Sequence, residues 1–231
     1  MGDPVAGKRL VFVAGLHRSG TTPLAKVLAD HPDIAGFSGT PATEDEGQHL
    51  QDVYPVARAY GGPGRFALDP AAHLTEASPL VTPENRERML AAWAPYWDLS
   101  KPVLVEKSPP NLVMTRFLQA LFPEAYHVVV VRHPVVVSLS TKKWTRTTSL
   151  HGLMRHWFAA HDVFRADAPQ VKRLLVISYE ALTARPEETL GQVGEFLDLA
   201  TPIPAGGIRP DRSTAYEQAW DAMATGSLLD R

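Results

Sequence analysis

The chain has 231 residues, 45% of them hydrophobic, with 23 basic and 25 acidic side chains and a formal net charge of −2. That length and apolar content suit one α/β domain with a real core and exclude global disorder, while the balanced charge gives no sign of wholesale nucleic-acid binding. The lack of cysteine excludes disulfides, thiolate metal sites and cysteine nucleophiles.

Met1–Lys8 is short and polar and has no signal-peptide pattern. No apolar run approaches the ~20 residues of a membrane span. The expectation is a cytoplasmic protein with no membrane or nucleic-acid partner, and frequent alanine, arginine and proline suggest a GC-rich bacterial genome. Arg9–Ala14 (RLVFVA) reads as a buried strand, since it is short, apolar and ends at a glycine. Thr21–Asp30 follows as a helix with Leu24, Val27 and Leu28 on one face, Thr21 or Thr22 as its cap and Pro23 in its first turn. Residues 35–83 are rich in glycine, proline, threonine and acids and read as one long irregular segment, which in a compact domain is usually functional.

Helices are expected over Pro83–Trp97, Asn111–Leu121, Pro134–Lys143, His151–Ala166, Pro186–Leu199 and Thr214–Met223. Strands are expected over Pro102–Glu106, Tyr126–Val131 and Arg173–Ser178. This alternation predicts a parallel sheet of about four to five strands flanked by helices, a three-layer α/β fold in one domain over 1–231. Ligands of such sheets bind beyond the carboxyl ends of the strands, so the informative residues lie just after them.

After the first strand comes Gly15-Leu16-His17-Arg18-Ser19-Gly20-Thr21-Thr22. The glycine spacing is that of the P-loop G-x-x-x-x-G-K-[ST], whose backbone N–H groups wrap a phosphate at a helix N-terminus. Thr21 stands where the lysine belongs, and Arg18 supplies a cation instead. After the Tyr126–Val131 strand comes Arg132, with Ser140 eight residues on. An arginine fork and a hydroxyl there can grip a second phosphate. Lys107 follows the Pro102–Glu106 strand and points toward the same cleft, with Glu106 as its support.

Together, GLHRSGTT (15–22), EKSP (106–109), VVVVRHPVVVSLS (128–140) and VISYEAL (176–182) resemble the PAPS-dependent sulfotransferases of the Golgi and bacterial branches, where PAPS is 3′-phosphoadenosine-5′-phosphosulfate. The resemblance runs in order from about Leu10 to Leu199 and implies the P-loop-type fold of nucleotide kinases. It implies that His17, Arg18, Ser19, Gly20, Thr21 and Thr22 hold the 5′-phosphosulfate and that Arg132 and Ser140 hold the 3′-phosphate. It further places Lys107 near the sulfuryl group and Tyr179 on the adenosine side. The C-terminal cofactor element of cytosolic members is absent in its usual form, and GGIRPDRS (206–213) stands in its place.

The implied reaction is sulfuryl transfer from PAPS to a hydroxyl or amine of a small-molecule acceptor, leaving 3′,5′-adenosine bisphosphate. Arg18 and Lys107 are candidates for neutralising the leaving group, and no metal is needed. The base is sought in PATEDEGQHL (41–50), at Glu46 first, then Glu44 and His49, although such acids also occur as a solvated loop. His151, His156 and His161 are five apart and leave a common helix face, which argues against a metal site. Trp93, Tyr96 and Trp97 read as core or acceptor-pocket wall, and Lys142, Lys143 and Arg146 as a basic run beside the second phosphate motif. Two other readings stay open: a small-molecule kinase using Mg-ATP, and a nucleotide-binding module without chemistry.

Overall fold

The structure, a computed structural model, describes residues 5–145, 147–209 and 213–229, with side chains as far as Met223. Arg146 and the Pro210–Arg212 part of GGIRPDRS lie outside the described residues. The burial pattern of β1 (Arg9–Ala14) sets the architecture. Leu10 and Phe12 enter one apolar cluster with Trp93, Phe117 and Leu118. Val11 and Val13 enter another with Leu24, Val27, Leu190 and Val193. A strand buried on both faces needs helices on both sides, which is why it reads as continuous valine, leucine and phenylalanine.

Among the described residues the sheet has five strands, adding β2 (Ile34–Ala35), β3 (Val103–Lys107), β4 (Tyr126–Val131) and β5 (Leu174–Ser178). Their order is β2-β3-β1-β4-β5 and every neighbouring pair is parallel. One face is covered by α1 (Thr21–Ala29), α6 (Tyr179–Ala184) and α7 (Pro186–Phe196). The other carries α2 (Pro83–Trp93) and α3 (Thr115–Leu121), with α4 (Pro134–Lys142) and α5 (Leu150–Asp167) beside them. The helix α8 (Thr214–Leu229) packs on α4. This is the three-layer α/β arrangement that the strand–helix alternation predicts. No helix among the described residues is long and apolar enough to cross a membrane.

Several boundaries differ from the expectation, and the strand β2 was not expected. The α2 helix stops at Trp93 and a 3-10 turn holding Pro95 follows (Ala94–Tyr96). The helix expected from Asn111 is a 3-10 turn over Pro109–Val113, broken at Met114 (φ −140°, ψ 25°) before α3. The two-residue edge strand β2 is too short to show a period. Residues 35–83 are irregular as expected but built: successive 3-10 turns are pinned by buried Gln48, Gln51, Tyr54 and Phe66. Gln51 alone accepts from Val53 N and Tyr54 N and donates to Gln48 O and Tyr54 O, satisfying backbone that no sheet or helix serves.

Candidate active site

Sheet register brings the strand-end motifs to one edge. Val13 pairs with Lys107, and Ala14 pairs with Val129 of the strand that runs out to Arg132. The loop after β1 therefore lies between Lys107 and Arg132, with Tyr179 opening α6 after β5 on the far side.

Within that loop Gly20 has φ 103°, and a Cβ there would overlap the ring of Tyr179. Arg18 has φ 72°, left-handed for a residue with a Cβ. Its carbonyl accepts from Arg132 Nη1 at 3.1 Å, and its own Nε donates to Ser140 Oγ at 2.8 Å. Its guanidinium lies 4.5 Å over the Trp144 ring. Arg132 is buried, stacks at 3.8 Å on Tyr179 and donates through Nη2 to Ser213 Oγ at 2.9 Å. Arg18, Gly20, Arg132, Ser140 and Tyr179 thus form one contact group, joined by Ser213, the last residue of the GGIRPDRS stretch.

The expected threonine cap is absent. The N-cap of α1 is Gly20, and no side chain caps the helix. Thr21 and Thr22 instead occupy its first turn, where backbone N–H groups lack intrahelical partners. Ser19 Oγ, fully buried beside them, makes no hydrogen bond among the described residues. An anion at this turn would meet all of these donors.

The His17 ring is turned away from that turn. It packs edge-on against Phe66 and lines a small cavity with Leu16, Gly64, Ser138, Thr141 and His156. Burial, with His156, Lys107 and His49 nearby, lowers its pKa to about 3, so the ring is neutral. A neutral, inward ring offers no cation to a phosphate.

The second group surrounds Lys107, which is 4% exposed. Its ammonium donates to Glu44 O at 2.7 Å and to Glu46 Oε1 at 3.3 Å. Glu46 is also buried, and its Oε2 accepts from Gln48 Nε2 at 2.6 Å and lies 3.7 Å from His49 Nε2. Of the three candidate bases, Glu46 and His49 meet here, whereas Glu44 contributes its carbonyl and leaves its side chain in solvent.

Glu106 is what holds this segment. It is fully buried and accepts from Gly47 N (3.1 Å), Ser108 Oγ (2.6 Å) and Asn111 Nδ2 (2.5 Å). Ser108 Oγ in turn accepts from Gln48 N at 2.9 Å. Gly47 is required because a Cβ would sit 2.5 Å from Glu106 Oε1, and its carbonyl is fastened by Trp93 Nε1 at 3.0 Å. Trp93 and Trp97 are core residues, as one of their two expected readings has it. The sequence signal for Glu106 was an acid closing a buried apolar strand, since a buried carboxylate demands donors.

Burial pushes the Glu106 carboxyl up from 4.5 to about 7, against the pull of the Ser108 and Asn111 hydrogen bonds. Between those pH values the folded chain keeps a proton that the unfolded chain has lost, so this group's contribution falls as pH rises. Stability to urea should therefore drop by up to about 3 kcal/mol through this group from pH 4.5 to 7.5. Glu106→Gln, uncharged throughout, should flatten that part of the profile; an unchanged slope would remove Glu106 as its source.

A groove of about 570 Å³ lies between the irregular segment and the turn before α5, lined by Tyr60, Arg65, Asp69 and Thr148 among others. None of Glu46, His49 or Lys107 lines it.

The chain is 27% identical over 203 residues to a protein-tyrosine sulfotransferase of Drosophila melanogaster, covering 82% of this chain and 38% of that one. It is 24% identical over 204 residues to protein-tyrosine sulfotransferase 2 of Gallus gallus, covering 83% and 51%. It therefore spans about half or less of the length of these relatives. In fold it is similar to the sulfotransferase domain of the Synechococcus PCC 7002 olefin synthase, with a TM-score of 0.57 at 20% identity over 90% of this chain and 81% of that one. The sequence profile described as "Sulfotransferase family" matches residues 11–202, from within β1 to beyond α7 and across every strand-end motif above, and the chain belongs to that family.

Proposed function

We propose that this chain is an enzyme moving a sulfuryl group from PAPS to a hydroxyl or amine of a small-molecule acceptor by in-line transfer, with 1–231 acting as one sulfotransferase-like domain. The observation that carries this reading is the buried Lys107–Glu46 pair, 3.3 Å apart, at the strand edge that also holds the anion-ready turn. PAPS, when bound, supplies the sulfuryl group and departs as 3′,5′-adenosine bisphosphate. The residues fit such a ligand: Ser19 Oγ and the uncapped first turn of α1 supply donors for its 5′ end. Arg132 and Ser140 supply a fork and a hydroxyl for the 3′-phosphate, with Tyr179 flat against the fork.

Lys107 has a second task. Its ammonium stabilises charge developing on the leaving group, an effect that is large where water is excluded. Arg18 serves the same end from the loop. Glu46 takes the acceptor proton, held in position by Lys107 and Gln48, with His49 beside it.

The test is release of 3′,5′-adenosine bisphosphate from PAPS over a panel of phenols, sugars and amines. Glu46→Gln should lower turnover by about 10² or more, and His49→Ala by less. The reverse order would give His49 the base's role, and near-normal turnover in both would remove the base from this segment.

A further inference from the structure

The C-terminal segment folds back onto the strand edge, where Ser213 joins the Arg132 contact group and Tyr216 has no part in the reading above. Ser213, fully buried, meets Arg132, and Tyr216 in the first turn of α8 reaches Ser140. Both residues assigned to the 3′-phosphate are thus touched by the same short stretch.

The hydrogen bonds there run in one direction. Lys143 Nζ donates to Tyr216 Oη at 3.1 Å and lies 4.7 Å over the same ring. Tyr216 Oη donates to Ser140 Oγ at 3.4 Å, the longest link, and Arg18 Nε donates to the same oxygen at 2.8 Å. A serine hydroxyl has two lone pairs and one proton. With both lone pairs engaged, the Ser140 proton is left to be donated onward. A chain that starts on an ammonium polarises each hydroxyl in the same sense, so the last becomes a stronger donor.

We propose that Lys143 and Tyr216 form a donor relay ending on Ser140 that makes the site select nucleotides bearing a 3′-phosphate. The relay rests on the nucleotide reading above. Lys143 and Tyr216 are positioning residues: they act on the ligand through Ser140. If they only fasten α8 to α4, their loss would weaken all nucleotides alike or none.

The experiment is calorimetric titration of the full chain with 3′,5′-adenosine bisphosphate and with 5′-AMP. Tyr216→Phe and Lys143→Ala should each lower bisphosphate affinity by about tenfold and leave 5′-AMP unchanged. Neither should have any further effect in a Ser140→Ala background, because a relay without its end residue transmits nothing. Equal losses for both nucleotides, no loss, or a loss that persists without Ser140 overturns the relay. A wild-type chain that prefers the bisphosphate, with variants that keep that preference undiminished, overturns the relay alone. A wild-type chain with no preference for the bisphosphate overturns the nucleotide reading, and the relay with it.

Discussion

Lys107→Met is expected to lower turnover by about 10²–10³, the usual effect of removing one preorganised donor from a developing charge. Methionine keeps the apolar stem and deletes the ammonium. The variant should also be less stable, because Glu46 then sits buried without its cation. Breaking a buried pair from one side costs about 3–5 kcal/mol, less whatever Glu46 recovers by taking up a proton. The two effects separate when Lys107→Met is added to Glu46→Gln, a pair that leaves no lone charge. Compared with Glu46→Gln alone, stability measured by urea unfolding should change little and turnover should fall further. No further loss of turnover would make Lys107 a purely structural residue.

Arg132→Ala is expected to weaken 3′,5′-adenosine bisphosphate by about 10² or more, as truncation of a buried hydrogen-bonded cation does. Calorimetry reads this directly, and 5′-AMP should lose less because it has no 3′-phosphate. The same arginine holds the Arg18 carbonyl at 3.1 Å, and Arg18 is in the left-handed region. Losing that support should lower the melting temperature as well as the affinity. Arg132→Lys should restore little of either, since it puts a point charge where a planar fork served Arg18 and Ser213 together.

The β1 and β4 strands were readable to the residue, because a strand buried on both faces is a short apolar run bounded by turn residues. The placement of the strand-end residues was readable for a related reason: in a parallel sheet the strand ends share one edge, so Arg18, Lys107 and Arg132 come to one edge once the strands are placed. Other parts depend on contacts between distant residues. Glu106 reaches Gly47 across 59 positions and Ser108 reaches Gln48 across 60, and no local period records either pairing. The direction of a side chain within a loop is equally hidden. His17 sits between phosphate-loop residues in sequence, yet its ring turns to Phe66 and the interior. Glu44 and Glu46 are two apart, and the sequence put Glu46 first as base with Glu44 behind it. The positive φ of Glu44 (57°) and Asp45 (50°) turns the chain between them, so Glu44 offers its carbonyl to Lys107 and Glu46 its carboxylate. The Lys143–Tyr216–Ser140 contacts likewise join residues more than 70 positions apart.

The most direct test of the sulfuryl-transfer reading is calorimetric titration of the wild-type chain with 3′,5′-adenosine bisphosphate, 5′-AMP and Mg-ATP. Thr21 stands in the place of the lysine that grips a triphosphate, and Arg132 and Ser140 are the residues proposed to hold a 3′-phosphate. The account predicts that the bisphosphate binds more tightly than either of the other two nucleotides. Preference for Mg-ATP would contradict it and make the chain a phosphoryl-transfer enzyme built on the same loop.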